Sequence, residues 1–263
     1  RSAQDSDCEK CSASLSRGRI MGFWKLIGME ELIEAMAKAI KAREALPPMP
    51  DDLDLDQAYG VQKALVDKVA GSAIAGLKAG MTAAAGQKQF GLTHPLIGSL
   101  YESGRLTPGT GLVAAAGVSL ECEIGVVIDG EGNPKSAGPV IEVPRMAWAD
   151  PADATGVNLT ACNIAADRYI VGTQLPFRDD YADIHITLTR DGETVCQAPA
   201  TDALGGPQDA LAWMLDEAAL RGLEIRDGML LITGACGGIH PALPGAYRAN
   251  YGELGSIEFT VEE

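Results

Sequence analysis

Ser119-Leu-Glu-Cys-Glu-Ile-Gly-Val-Val-Ile128 carries the strongest chemical signal in the chain. Read as a strand, its period of two puts Leu120, Cys122, Ile124, Val126 and Ile128 on one face. Ser119, Glu121 and Glu123 share the other. Carboxylates two positions apart on a strand lie about 7 Å from one another, given a rise of about 3.3 Å per residue. They repel unless water or a cation stands between them. A hard divalent cation such as Mg2+ takes carboxylate oxygens and leaves positions open for water or substrate. The alternative is an ordinary surface strand with its acids in solvent. Glu142 raises a related question inside the short apolar run Pro139-Val-Ile-Glu-Val-Pro144. An unpaired charge is expensive there, unless the residue ends its strand and turns to water. Lys78 sits in the otherwise uncharged run Ala73-Ile-Ala-Gly-Leu-Lys-Ala-Gly80. It either snorkels to solvent or faces a polar cavity with an anionic partner.

The elements that must position these residues follow from periodicity. From Met29, the residues Leu32, Ile33, Met36 and Ile40 recur at helical spacing, and Pro47-Pro48 ends that run. A second helix is predicted from Leu55 to Ala70, with Ala58, Val61, Leu65 and Val69 on one side. Beyond Gly71 the pattern becomes short apolar runs separated by glycine and proline, at 73–80, 112–116, 118–129, 139–144, 168–173, 183–190, 228–233 and 255–261. One later helix, Pro207 to Arg221, carries the stripe Ala210, Leu211, Met214, Leu215 and Ala218. Helices first and strands afterwards indicate an α+β fold rather than regular βαβ alternation. Residues 1–28 read as a leader (tag, vector or mis-called start). Residues 29–263 read as one catalytic domain with a helical part, 29–70, and a β-rich core, 71–263.

Composition narrows the function classes. The 263 residues are 46% hydrophobic and 22% charged, which suits a globular core and excludes wholesale disorder. A formal net charge of −15 argues against nucleic acid and anionic membrane surfaces as partners. Nowhere do about 18 apolar residues follow one another, so no membrane span is expected. Six cysteines in a chain of this length do not make a disulfide scaffold. Cys8 and Cys11 form an isolated C-x-x-C with no second pair or histidines beside it, so zinc is not expected there. Residues 1–20 lack the apolar core of a secretory signal, which makes the cytoplasm the expected location. There is no P-loop, dinucleotide fingerprint or nucleophile elbow.

Taken in order, the motifs resemble the fumarylacetoacetate hydrolase superfamily, in its 2-keto-4-pentenoate hydratase / 4-oxalocrotonate decarboxylase branch. The residues that carry the resemblance are Gly76-Leu-Lys-Ala-Gly-Met-Thr82, Glu121-Cys-Glu-Ile124, Pro139 to Val143, and Ala161-Cys-Asn163 followed by Tyr169-Ile-Val-Gly172. Leu204-Gly-Gly-Pro207, Ile232-Thr-Gly-Ala-Cys-Gly237 and Gly252-Glu-Leu-Gly-Ser256 complete the series. The resemblance runs from about Leu46 to Val261 and implies a mixed, β-roll-like core. It also implies one Mg2+ or Mn2+ held by Glu121, Glu123 and Glu142, and a small 2-oxo or 2-hydroxydienoic acid of aromatic catabolism as substrate. The acid would chelate the ion, which acts as a Lewis acid on the developing enolate. Lys78 would be the electrostatic partner or proton carrier, with a depressed pKa as one option. Asn163, Thr82, Gly234, Ala235 and His94 would contact substrate. Family members are usually homo-oligomers, and some associate with a hydratase or decarboxylase partner.

Departures from the pattern matter too. Leu92-Thr-His-Pro-Leu-Ile-Gly98 lacks the acids, one of which could position water, that the hydratase pattern places around its proline, and it resembles the decarboxylase version instead. His94 is there instead, as a proton-handling group or as a surface residue. Glu123 and Glu142 are 19 positions apart, a shorter gap than the family pattern, so an intervening helix is missing and with it part of a site wall or subunit contact. The alternatives are an acylpyruvate-type C–C hydrolase, with His94 as its base, and a non-catalytic assembly subunit. His185 and His240 read as structural.

Overall fold

The computed structural model describes residues 28–71 and 74–263. The leader, with Cys8 and Cys11, lies outside the described residues. The helices are α1 (Met29–Ala42), α2 (Leu55–Ala70), α3 (Ala84–Gln89), α4 (Gly156–Ala161) and α5 (Pro207–Arg221). Strands β1 (Ile74–Gly80), β2 (Leu96–Tyr101), β3 (Arg105–Leu106), β4 (Gly111–Val113), β5 (Ser119–Ile128), β6 (Pro134–Val143) and β7 (Arg168–Val171) come first. Then come β8 (Leu175–Pro176), β9 (His185–Arg190), β10 (Glu193–Pro199), β11 (Leu230–Ile232), β12 (Cys236–Pro241), β13 (Gly245–Asn250) and β14 (Ser256–Glu262).

Local chemistry sets the helix ends. In α2 the Asp54 side chain accepts from the Gln57 backbone N–H, while the Gln57 side chain accepts from the Asp54 N–H, a reciprocal capping box. Helix α1 stops at Ala42, before the prolines expected to end it. There Arg43 turns left-handed (φ 59°) and its N–H reaches back to the Ala39 and Ile40 carbonyls. Helices α3 and α4 were not predicted, because six residues are too few for an apolar periodicity.

The strands form two sheets. The larger runs β2-β1-β11-β5-β6-β7-β3, with β12 also pairing β5 and β8 pairing β6. The smaller runs β10-β9-β13-β14-β4. Parallel pairing of β1 with β11 inside an otherwise largely antiparallel sheet gives the mixed, curled α+β core. Leu32 and Met36 of α1, Leu65 of α2, Ile124 of β5, Leu188 of β9 and Phe259 of β14 belong to one contiguous buried cluster. Each fully buried side chain of this size contributes about 1.5–3 kcal/mol. Gly76 lets β1 approach β11: a Cβ there would lie 1.7 Å from the Leu230 carbonyl oxygen. No helix among the described residues is long and apolar enough to cross a membrane.

Candidate active site and metal centre

The site is built on the hairpin of β5 and β6. Its register places Glu121 directly opposite Glu142 and Glu123 opposite Val140. Like charges facing each other across an antiparallel pair are destabilising, so this register calls for a cation. The short gap between Glu123 and Glu142 is therefore spanned by a tight turn that leaves the two acidic segments adjacent. One ligand oxygen from each of Glu121, Glu123 and Glu142 lies within 4.8 Å of the other two. Glu123 and Glu142 are buried and Glu121 is partly so. These acids do not sit on a solvated strand face.

Glu123 is oriented by a break in the neighbouring strand. β11 pairs with β5 as far as Ile232 opposite Gly125, and β12 resumes with Cys236 opposite Cys122. The interruption between them is Thr233–Ala235. Within it the Gly234 N–H donates to Glu123 Oε2 at 2.7 Å. Gly234 has φ +103°, and a Cβ on it would lie 2.5 Å from the Thr82 Cγ2. Thr82 thus packs against Gly234, Ala235 follows half-buried, and the Gly234 N–H expected to meet substrate is already committed to Glu123.

Lys78 projects from β1 into the same cluster. It is 2% exposed and donates to Glu142 Oε1 and to the Ile164 carbonyl, the latter at 2.9 Å. That carbonyl is presented by three consecutive left-handed residues, Asn163, Ile164 and Ala165 (φ 59°, 53° and 55°). Such backbone costs about 1–2 kcal/mol per non-glycine residue. Asn163 holds it in place: its Oδ1 accepts from the Ser99 N–H and its Nδ2 donates to the Ser99 carbonyl, both at 2.8 Å. The Asn163 amide is therefore engaged with β2 rather than turned to a ligand. The Ile164 carbonyl is a functional group that side-chain motifs could not reveal.

The electrostatics follow from this crowding. Burial pushes Glu121 up to about 7, with Glu142 adding repulsion and Lys78 opposing it. Glu123 is also raised well above the carboxylate range, first by burial and then by Glu142 and Glu121. For Lys78, burial favours the neutral amine, but Glu142, Glu121 and Glu123 outweigh it, and its pKa is raised. The depressed lysine pKa considered from the sequence is corrected accordingly: three facing carboxylates keep the ammonium charged. Glu123 Oε1 and Glu142 Oε2 are buried without a hydrogen-bond partner. Two orphaned carboxylate oxygens, a three-acid cluster and an all-oxygen donor set fit a hard divalent cation.

Beside the cluster opens a cavity of about 130 Å3, bordered by Lys78, Ser119 and Glu121. Its remaining wall is apolar, including Met81, Phe90, Met146, Leu159, Ile164 and Ile239. Lys78 is the only cation among the described residues lining it. Arg145, between the wall residues Pro144 and Met146, donates instead to the Glu44 carbonyl. His94 is not part of this wall, and its Nδ1 contacts the Pro95 carbonyl at 2.8 Å. Its proposed proton-handling role has no support in this placement.

The fold is that of the fumarylacetoacetate hydrolase superfamily. The 4-oxalocrotonate decarboxylase from Pseudomonas putida G7, complexed with magnesium and adipate, superposes with a TM-score of 0.81 at 22% identity, covering 89% of this chain and 97% of that one. Fumarylpyruvate hydrolase from Pseudomonas aeruginosa, in complex with Mn2+ and pyruvate, gives 0.52 at 14% identity over 70% of this chain and 88% of that one. In sequence, 2-keto-4-pentenoate hydratase of Paraburkholderia phymatum is 26% identical, covering 89% of this chain and 98% of the relative. The enzyme of the same name from Burkholderia vietnamiensis is 27% identical, covering 88% and 98%. No protein-family model matches the chain. The chain is thus similar in sequence to 2-keto-4-pentenoate hydratases and in fold to 4-oxalocrotonate decarboxylase.

Proposed function

We propose that this chain is a divalent-metal-dependent lyase acting on a small 2-oxo acid or its 2-hydroxydienoic form, in aromatic catabolism. The observation that carries the reading is the convergence of Glu121, Glu123 and Glu142 beside Lys78 at the mouth of a small apolar cavity. In this reading the three glutamates hold Mg2+ or Mn2+, which supplies Lewis-acid polarisation of a 2-oxo group when bound. The Gly234 N–H keeps Glu123 aimed at the cluster. Of the three Lys78 donors, Glu142 and Ile164 take two, which leaves one N–H for a substrate oxygen. Because its pKa is raised, Lys78 serves as a charged donor at Nζ rather than as a base. Ser119 offers a hydroxyl at the same rim.

The apolar wall favours a monocarboxylic substrate. A second carboxylate would be desolvated against Phe90, Met146 and Ile239, with no further cation among the described residues lining the cavity, which is costly. A monocarboxylic 2-oxo acid has no second carboxylate to release as CO2, so the apolar wall favours hydration, whereas the missing acids around Pro95 favour decarboxylation; turnover decides between them. A homo-oligomeric state, a hydratase or decarboxylase partner chain and a cytoplasmic location remain parts of the proposal carried by the resemblance. The intact acid cluster supports a catalytic chain over a purely structural subunit.

Turnover of 2-keto-4-pentenoate and of 4-oxalocrotonate, followed with chelator-treated protein and again after adding Mg2+ or Mn2+, tests the reading. Metal-dependent consumption of the first, little of the second, and loss of both activity and metal binding in Glu123→Gln are expected. Full activity in the chelated protein would refute it.

A further inference from the structure

We propose that Ile239 determines which substrate tail the site accepts, favouring an apolar tail and rejecting a second carboxylate. The inference rests on the lyase reading and assigns a selectivity to that same site.

Two extra residues in β12 put Ile239 in place. Cys236 pairs with Cys122 and Ile239 with Glu121, so β12 advances three positions while β5 advances one. In an unbroken ladder Gly237 would stand opposite Glu121, and Ile239 opposite Ser119. The extra residues are Gly237 and Gly238, both left-handed (φ +84° and +83°), a conformation that glycine adopts without steric cost. Hydrogen-bonding groups fix this bulge from two sides. The Gly237 N–H donates to Asp202 Oδ2 at 2.8 Å, and the Gly237 carbonyl lies 2.9 Å from His240 Nε2. A side chain on Gly237 would press on β10, since its Cβ would lie 3.2 Å from the Cys196 Sγ. The bulge therefore gives the position beside Glu121 to a large β-branched side chain. Directly opposed residues on antiparallel strands have Cβ atoms about 4.5–5.5 Å apart.

Ile239 lines the cavity and is nevertheless 52% exposed. Half of its apolar surface is thus open to be covered by a bound tail, and each CH2 buried there strengthens binding by about fourfold. The same surface offers a carboxylate neither a hydrogen bond nor a counter-charge. Met81, Phe90 and Met146 are half-buried, and Leu159 and Ile164 are buried. Ile239 is the member of the wall that can be exchanged with the least disturbance of the core. A cation placed there would stand at the cavity mouth, on the strand next to Glu121.

Calorimetric titration of the full chain at saturating Mg2+ with 2-oxohexanoate and 2-oxoadipate tests the assignment. The two saturated acids have equal chain length, only the second carries a distal carboxylate, and their binding is read without turnover. The parent should favour 2-oxohexanoate by about tenfold or more. Ile239→Ala should narrow that preference. Ile239→Arg should shift it toward 2-oxoadipate by about tenfold, the size of one charge-assisted hydrogen bond. Val113→Arg adds the same charge at a 57% exposed position of β4 outside the cavity wall, and should leave the preference unchanged. A shift of less than about twofold in Ile239→Arg, or an equal shift in Val113→Arg, would overturn the assignment. Should the new arginine displace Mg2+ by pairing with Glu121, an unchanged preference in Ile239→Ala overturns it. Binding of neither acid to the parent refutes the lyase reading and this assignment with it, whereas binding with unaltered selectivity in the variants refutes this assignment alone.

Discussion

Replacing Lys78 by Met tests the electrostatic logic of the site most directly. The substitution keeps much of the apolar stem and removes the one cation that the three glutamates share among the described residues. Lys78 and Glu142 are 2% and 1% exposed, so theirs is a buried pair. Removing one partner of such a pair costs about 3–5 kcal/mol, because the remaining charge stays desolvated. At about 2–4 °C per kcal/mol for a chain of this size, the chelator-treated variant should melt roughly 6–20 °C below the parent. Adding Mg2+ or Mn2+ should then stabilise the variant more than the parent, since the ion becomes the sole counter-charge. Saturation at about 100 times Kd contributes about 2.7 kcal/mol. Thermal melts by circular dichroism, with and without metal, provide the measurement. The Lys78→Met/Glu142→Gln double variant should melt above Lys78→Met alone, having one buried charge fewer. A Lys78→Met protein that melts within about 2 °C of the parent in chelator, less than one kcal/mol on this scale, would refute the reasoning.

Two further expectations follow from neighbouring geometry. Asn163→Ala leaves the Ser99 N–H and carbonyl unpaired in the interior, at about 1–3 kcal/mol each, and should lower the melting temperature by several degrees. A role confined to substrate contact would raise KM and leave the melt in place. Alkylation of Cys196 by iodoacetamide should accelerate as pH rises through about 6, because its lowered pKa keeps the thiolate present above that value and loses it below. An inflection near the ordinary thiol value of about 8.5 would contradict this expectation.

Much of the site was legible in the sequence because strands alternate with a period of two. That alone placed Glu121 and Glu123 on one face and Cys122 on the other. An acid in an apolar run and a lysine in another marked Glu142 and Lys78 as groups needing partners. The order of helices and strands sufficed for the α+β class. What the sequence could not supply was pairing. The β5–β6 register that sets Glu121 against Glu142 depends on the turn and a bulge near Ile128. The strand break that commits the Gly234 N–H to Glu123 exists only because β11 and β12 both pair with β5. Asn163 looked like a ligand contact, since an amide can bond substrate or backbone equally well. Only the folded chain decided that its partner is Ser99, 64 positions away. Residue type and spacing determine which groups can do chemistry, whereas long-range hydrogen bonding decides which of them meet.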